Sequence, residues 1–358
     1  MPAVKGRSFS SFKQRAIAVA VASCYLGTAV ANPTGGTVAS GSATISSSGN
    51  TLTVTNTPGA IINWQQFSIQ KDEVTRFIQQ NASSAVLNRV TTQNPSVILG
   101  TLTSNGRVFL INPSGIAFGV GSVINVAGLA ASTLNISDSD FLSGRLRFVG
   151  TGTEGALTNA GTITTPEGGH VYLIAPSVQN QAGGVITSPK GEVVIAAGQT
   201  VELVNAMTPD IRVEYTAPSN EVVNAGQIVA ASGRIGVFGT LVRNSGLVSA
   251  SRAEVGDGGQ IVFRAVKDVT LDAASRLEAS IVKNHTPGSP SGPTTYVRML
   301  SWRNDEMPGS GNPPRGRNAR TRKKTIPSHA VPPYSSISSS SGTAARISST
   351  GTCQCAQK

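Results

Sequence analysis

Gly106-Arg107-Val108-Phe109-Leu110-Ile111 is a glycine, a variable residue and a run of apolar residues, and the pattern returns four times. It recurs as Gly169-His170-Val171-Tyr172-Leu173-Ile174, Gly191-Glu192-Val193-Val194-Ile195, Gly233-Arg234-Ile235-Gly236-Val237-Phe238 and Gly259-Gln260-Ile261-Val262-Phe263. The starting glycines lie 63, 22, 42 and 26 residues apart. Those spacings read as three, one, two and one units of about 21 residues, the last enlarged around Glu254 to Gly258. A second motif keeps the phase: Asn159-Ala160-Gly161-Thr162-Ile163, Asn180 to Ile186, Asn224-Ala225-Gly226-Gln227-Ile228 and Asn244-Ser245-Gly246-Leu247-Val248. Short β-branched runs closed by Asn-Ala-Gly or Asn-Ser-Gly read as strands and turns, with glycine expected to supply a positive φ.

A period near 21 residues fits either a leucine-rich repeat or one coil of a β-helix. A leucine-rich repeat needs a leucine ladder, whereas valine and isoleucine dominate here. The expected fold is therefore all-β, a right-handed single-stranded parallel β-helix. About ten coils at the strand spacing would extend roughly 50 Å. A solenoid end exposes unpaired strand edges, so the segment from Asn32 to about Ala60 is expected to form an N-terminal cap.

Outside this body the composition changes. Residues 1–31 contain Lys5, Arg7, Lys13 and Arg15, an apolar run from Ala16 to about Leu26, and the small-residue ending Ala29-Val30-Ala31. This is the pattern of a secretory signal peptide with Ala29 and Ala31 at the cleavage site. A lipoprotein signal is the rival reading, because Val21-Ala22-Ser23-Cys24 resembles the box before a lipidated cysteine. Residues 283–358 are rich in Pro, Ser, Gly and Arg and have no period, so a disordered basic tail is expected there. The formal charge of +11 belongs to these ends: residues 1–31 carry +4, 32–282 carry −2 and 283–358 carry +9. The body is thus not a nucleic-acid binder by charge, and Arg320-Thr321-Arg322-Lys323-Lys324 reads as a solvated run rather than a nucleic-acid or membrane site. Cys24, Cys353 and Cys355 all fall outside 32–282, which leaves the body free of disulfides, as suits export in an unfolded state.

No constellation in the body suggests catalysis. Gly150-Thr151-Gly152-Thr153-Glu154-Gly155 fits G-x-G-x-x-G but opens no helix, so it is not read as a dinucleotide site. His170 has no neighbouring Cys or second His with which to hold a metal or build a triad. Asp138 and Asp140, in Ser137-Asp138-Ser139-Asp140, read as turn residues. Asn81-Ala82-Ser83 and Asn135-Ile136-Ser137 fit the glycosylation sequon, which is too common to decide anything. The body is expected to be no enzyme and to hold no cofactor.

The segment from Leu87 to Thr133 carries the function. It contains Leu87-Asn88-Arg89-Val90, Ile98-Leu99-Gly100, Ser104 to Ile116 and Asn125 to Thr133. Asn112-Pro113-Ser114-Gly115 is written as a type I turn. In this order the segment resembles the secretion domain of two-partner-secretion exoproteins, the haemagglutination-activity domain of filamentous haemagglutinins. Ala60 to Ile69 and Phe77 to Val86 are similar to the high-molecular-weight adhesins of that family. The family's Asn-Pro-Asn-Gly-Ile motif falls on Asn112, Pro113, Ser114, Gly115 and Ile116, with Ser114 replacing the second Asn, and a further Asn-Pro element falls on Asn94 and Pro95.

The resemblance implies an adhesin's N-terminal export region, recognised by an outer-membrane translocator and delivered through the periplasm to the surface or surroundings of a Gram-negative bacterium. It also implies a host-surface receptor or glycan for the full-length protein. A haem- or host-protein-binding exoprotein with the same export domain and a carbohydrate-active β-helix enzyme are the alternatives. If Asn112 merely shapes a local turn, its replacement by alanine should cost about 1 kcal/mol.

Overall fold

The computed structural model describes residues 32–204, 210–214, 220–251, 260–279, 297–301, 345–347 and 353–355. The chain divides into Met1–Val30 and Ala31–Lys358, and everything described lies in the second unit. Cys24, Ala29 and Ala31 lie outside the described residues.

Three stacks of parallel strands build the body. The first contains 60–64, 85–90, 107–111, 128–132, 170–175, 192–197, 234–239 and 260–265. The second contains 96–98, 116–118, 157–159, 177–180, 221–224, 241–244 and 268–271. The third runs from 51–55 through 74–77, 101–104, 123–126, 162–164, 185–187, 227–229 and 247–249 to 276–278. This is the expected parallel β-helix, and its first stack defines eight coils.

Eight coils replace the expected ten because two of the spacings were misread. Glu192 pairs directly with Arg234, so that spacing of 42 is one coil rather than two. Only Gly128 stands between Arg107 and His170 in the ladder, so the spacing of 63 is two coils rather than three. The surplus residues leave the solenoid and form a second, antiparallel sheet of Asn135–Ile136, Leu146–Val149, Thr200–Val204 and Asp210–Glu214.

Alternation along the first stack explains both sheets. Inward residues Val86, Val108, Leu129, Val171, Val193, Ile235 and Ile261 form the interior core. Their outward neighbours Leu87, Phe109, Ala130, Tyr172, Val194 and Val262 are apolar too, and form a second core with Phe148 and Val201 of the outer sheet. A strand covered on both faces is apolar at successive positions, as Val108 to Ile111 are.

The cap closes the first coil. Thr37–Ser40 pairs antiparallel with Ala60–Trp64, and the hairpin of Ala43–Ser48 with Thr51–Asn56 covers the neighbouring strand end. Trp64 is buried here, donating to Asn88 Oδ1 at 2.9 Å.

The turns depart from expectation in one respect. Gly161, Gly226 and Gly246 are not among the glycines with positive φ; they are required by close approach between coils. A Cβ on Gly226 would overlap the carbonyl oxygen of Gly184, and one on Gly246 would overlap that of Gly226. Gly169, Gly191 and Gly233 form a similar column, in which each added Cβ after the first would overlap the carbonyl oxygen of the glycine one coil back. Beside the first column runs a buried asparagine ladder. Asn159 donates to Asn180 at 2.8 Å, Asn180 to Asn224 at 2.8 Å, Asn224 to Asn244 at 2.6 Å, and Asn244 to Ser275. Each amide meets the hydrogen-bonding demand of the next, which makes a polar row tolerable in the interior.

Most of 283–358, where a tail without structure is expected, lies outside the described residues, and three short strands are described there. Val297–Ser301 pairs in parallel with 261–265, Ala345–Ile347 antiparallel with 269–271, and Cys353–Cys355 with Ala345–Ile347. The physical reason is the free edge of the last coil, whose unpaired main-chain groups accept added strands.

Candidate functional site

The motif Asn112 to Ile116 sits where the third coil passes from its first strand to its second. Gly115 N donates to Asn112 O at 3.1 Å, closing the expected turn, and Gly115 takes φ 121°. Asn112 Oδ1 accepts from Ser114 N at 3.0 Å. The same side chain reaches back one coil, donating to Asn94 O at 2.9 Å and Ser96 Oγ at 2.9 Å. The two Asn-Pro elements, eighteen residues apart in sequence, are therefore one cluster in space. Ser96 N donates to Gly115 O at 3.0 Å, and Ser96 and Ile116 are partners in register. Asn112 N donates forward to Ser132 O at 3.0 Å, while Gly155 N donates to Pro113 O at 2.8 Å.

Asn112 and Ser96 are both fully buried, whereas Pro113 and Asn94 are exposed. The bonds of Asn112 are not confined to its own turn, so its loss is expected to cost more than that of a local contact. Ser96 was missed in the sequence because its importance comes from a partner one coil away; its place directly after Asn94-Pro95 was the available signal.

Other sequence candidates fall elsewhere. Asp138 and Asp140 are not turn residues: Ser137 caps the helix Asp138–Leu142, its side chain accepting from Asp140 N at 3.0 Å. Asp138 pairs with Arg89 at 2.8 Å, which ties the outer helix to the second coil. In Gly150 to Gly155 the Glu154 carboxylate accepts from Thr151 N and from Gly152 N at 2.9 Å. The loop's N–H groups thus face their own carboxylate, an arrangement that leaves them no phosphate to cradle. Burial works against the charge of Glu154, yet the hydrogen bonds from Thr151 and Gly152 hold its carboxyl below the usual range. No group of three or more metal-ligating side chains occurs among the described residues.

His170 stacks on Tyr172 with ring centres 5.0 Å apart. Tyr172 donates to Glu192 Oε2 at 2.9 Å, and burial followed by the charge of Glu192 pushes its hydroxyl up. Burial, followed by the charge of Arg107, pulls His170 down to about 4 from 6.5. The native imidazole therefore resists a proton that the unfolded chain takes up near pH 6.5. Its contribution to stability is complete above that pH and declines as pH falls toward 4, by up to about 3 kcal/mol. Chemical denaturation at several pH values should show a shallower acid decline for His170→Gln than for the wild type. Parallel declines would contradict a neutral native His170.

The family model described as TPS secretion domain matches residues 29–275. The secretion domain of HMW1 from Haemophilus influenzae, a solved structure, is similar at 32% identity and TM-score 0.68, covering 77% of this chain and 78% of that one. Two curated relatives, both named heme/hemopexin-binding protein and both from Haemophilus influenzae, are 38% identical over 130 residues and 43% identical over 77. The matched parts are 35% and 22% of this chain but 14% and 8% of those relatives, so only a small fraction of their length is represented. With a capped parallel β-helix whose family match runs through the cap, the Asn-Pro cluster and the outer sheet, the chain belongs to the two-partner-secretion (TPS) domain family.

Proposed function

We propose that this chain is the export-directing N-terminal region of a surface adhesin, addressed to its outer-membrane translocator by Asn94, Pro95 and Asn112 to Ile116. Proteins of the family cross the outer membrane and are secreted or surface-associated, and the matched neighbours are secretion domains rather than enzymes. In the proposal residues 1–31 are removed at the inner membrane, 32–282 form the exported unit, and 283–358 follow as a basic extension. The observation that carries it is the burial of Asn112 between coils. A side chain enclosed in the finished fold is accessible only beforehand, so an address containing it must be read on the unfolded chain in the periplasm. Main-chain pairing of this extended segment with a translocator sheet edge would supply the affinity. Coils completed outside would then oppose return, because each new coil stacks on its predecessor.

The test is the full chain expressed with and without a cognate translocator. Tagged protein should reach the medium only when the translocator is present, and should accumulate in the periplasm without it. Equal release in both strains would refute the reading. A second reading, capture of haem or a haem-carrying host protein by the full-length exoprotein, is supported by the names of the two curated relatives. Binding of hemin or hemopexin by the secreted protein would distinguish it from adhesion to a host receptor or glycan.

A further inference from the structure

Asn32 begins the cap in a position that suits a chain end. Its backbone nitrogen donates to Glu73 Oε2 at 2.8 Å. Its side chain donates to Asn50 O at 3.1 Å and accepts from Thr75 Oγ1 at 3.0 Å. Asn32 is 7% exposed and Glu73 8%. The same Glu73 oxygen accepts from Gln70 N at 2.8 Å, and among the described residues no Lys, Arg or His side chain is paired with it. A buried carboxylate held only by amide N–H groups lacks the cation that normally offsets its desolvation.

Asn32 also has φ 55°, a left-handed conformation that a residue with a Cβ adopts at a cost, although asparagine bears it better than most. That torsion exists only while Asn32 is bonded to the residue before it.

We propose that cleavage after Ala31 turns this nitrogen into an α-ammonium paired with Glu73, so that removal of the signal peptide completes the N-terminal cap. The inference rests on the cleavage position expected from Ala29-Val30-Ala31. A signal-peptidase-type protease adds water across the Ala31–Asn32 bond. The hydroxyl goes to the Ala31 carbonyl carbon and a proton to the Asn32 nitrogen, and at neutral pH the new amine takes a second proton from solvent. One step thereby supplies the missing positive charge and removes the constrained torsion. A start one residue earlier would do neither.

The experiment compares the mature chain 32–358 with the same chain carrying one extra alanine before Asn32, each with and without Glu73→Gln. The form beginning at Asn32 should melt about 5 °C higher than the extended form, and Glu73→Gln should reduce the difference to the smaller part that comes from the torsion. Its α-amino group should also react roughly tenfold more slowly with an amine reagent than after denaturation. If Glu73→Gln does not fold, acetylation of the Asn32 amine serves instead, since it restores an amide and should lower melting as the extension does. Equal melting of the two starts, a difference undiminished by Glu73→Gln, no effect of acetylation, or a secreted protein whose first residue is not Asn32 would each overturn the proposal.

Discussion

Asn112→Ala should reduce protein in the medium roughly tenfold and lower stability by about 3 kcal/mol, leaving unexported chain in the periplasm. The stability loss follows from three bonds of a buried side chain, to Asn94, Ser96 and Ser114, and from the Ser96 hydroxyl left without this donor. The export loss follows if the translocator reads the same amide before folding, since one lost hydrogen bond of about 1.4 kcal/mol weakens association about tenfold. The two effects separate with Asn180→Ala, which opens the interior asparagine ladder and leaves the motif intact. Secretion and thermal melting should be measured on both. Equal export defects at equal stability loss would assign the whole effect to folding, and normal export of Asn112→Ala would remove it from the address.

Gly191→Ala should damage the fold to a similar extent, costing about 3 kcal/mol and lowering the melting temperature by roughly 10 °C. Its Cβ would overlap the carbonyl oxygen of Gly169, and main chain in a stacked coil has nowhere to retreat. Gly168→Ala is the comparison. Gly168 has φ 74° but no atom within 4 Å of an added Cβ, so only the conformational cost of about 1–2 kcal/mol applies. If Gly168→Ala proved as harmful as Gly191→Ala in thermal unfolding, backbone conformation rather than coil spacing would account for the column.

The contrast shows why parts of the molecule were legible in the sequence and others were not. Strands announce themselves through alternation, so the Gly-x-apolar motif located the first stack correctly. Coil counting failed because the excursions after Thr133 and Ala197 are each about as long as a coil, and a spacing of two periods looks the same as one period with an insertion. The glycine role was misread because sequence records a residue's identity but not whether its neighbour one coil away leaves room for a Cβ. Asp138–Leu142 is too short a helix to show a 3.6-residue period, so Ser137-Asp138 passed for a turn. The outer sheet left one readable trace: Val108 to Ile111 are consecutively apolar, where a strand with one wet face would alternate. The Asn112 turn was legible because its bonds begin within four residues; its grip on Asn94 and Ser96 was not, since that contact requires knowing which coils adjoin.

The antiparallel cap has a consequence for stoichiometry. An end-to-end fibre of solenoids needs two complementary open faces on every subunit, one to give and one to receive. Here Thr37–Ser40 and the hairpin that follows reverse the strand direction over the first coil, so that face offers no parallel register to a second molecule. Among the described residues the other end is taken up as well, since Val297–Ser301 and Ala345–Ile347 pair with the strand of the last coil. With an antiparallel cap at one end and added strands at the other, neither end presents the open parallel edge that repeated end-to-end stacking requires.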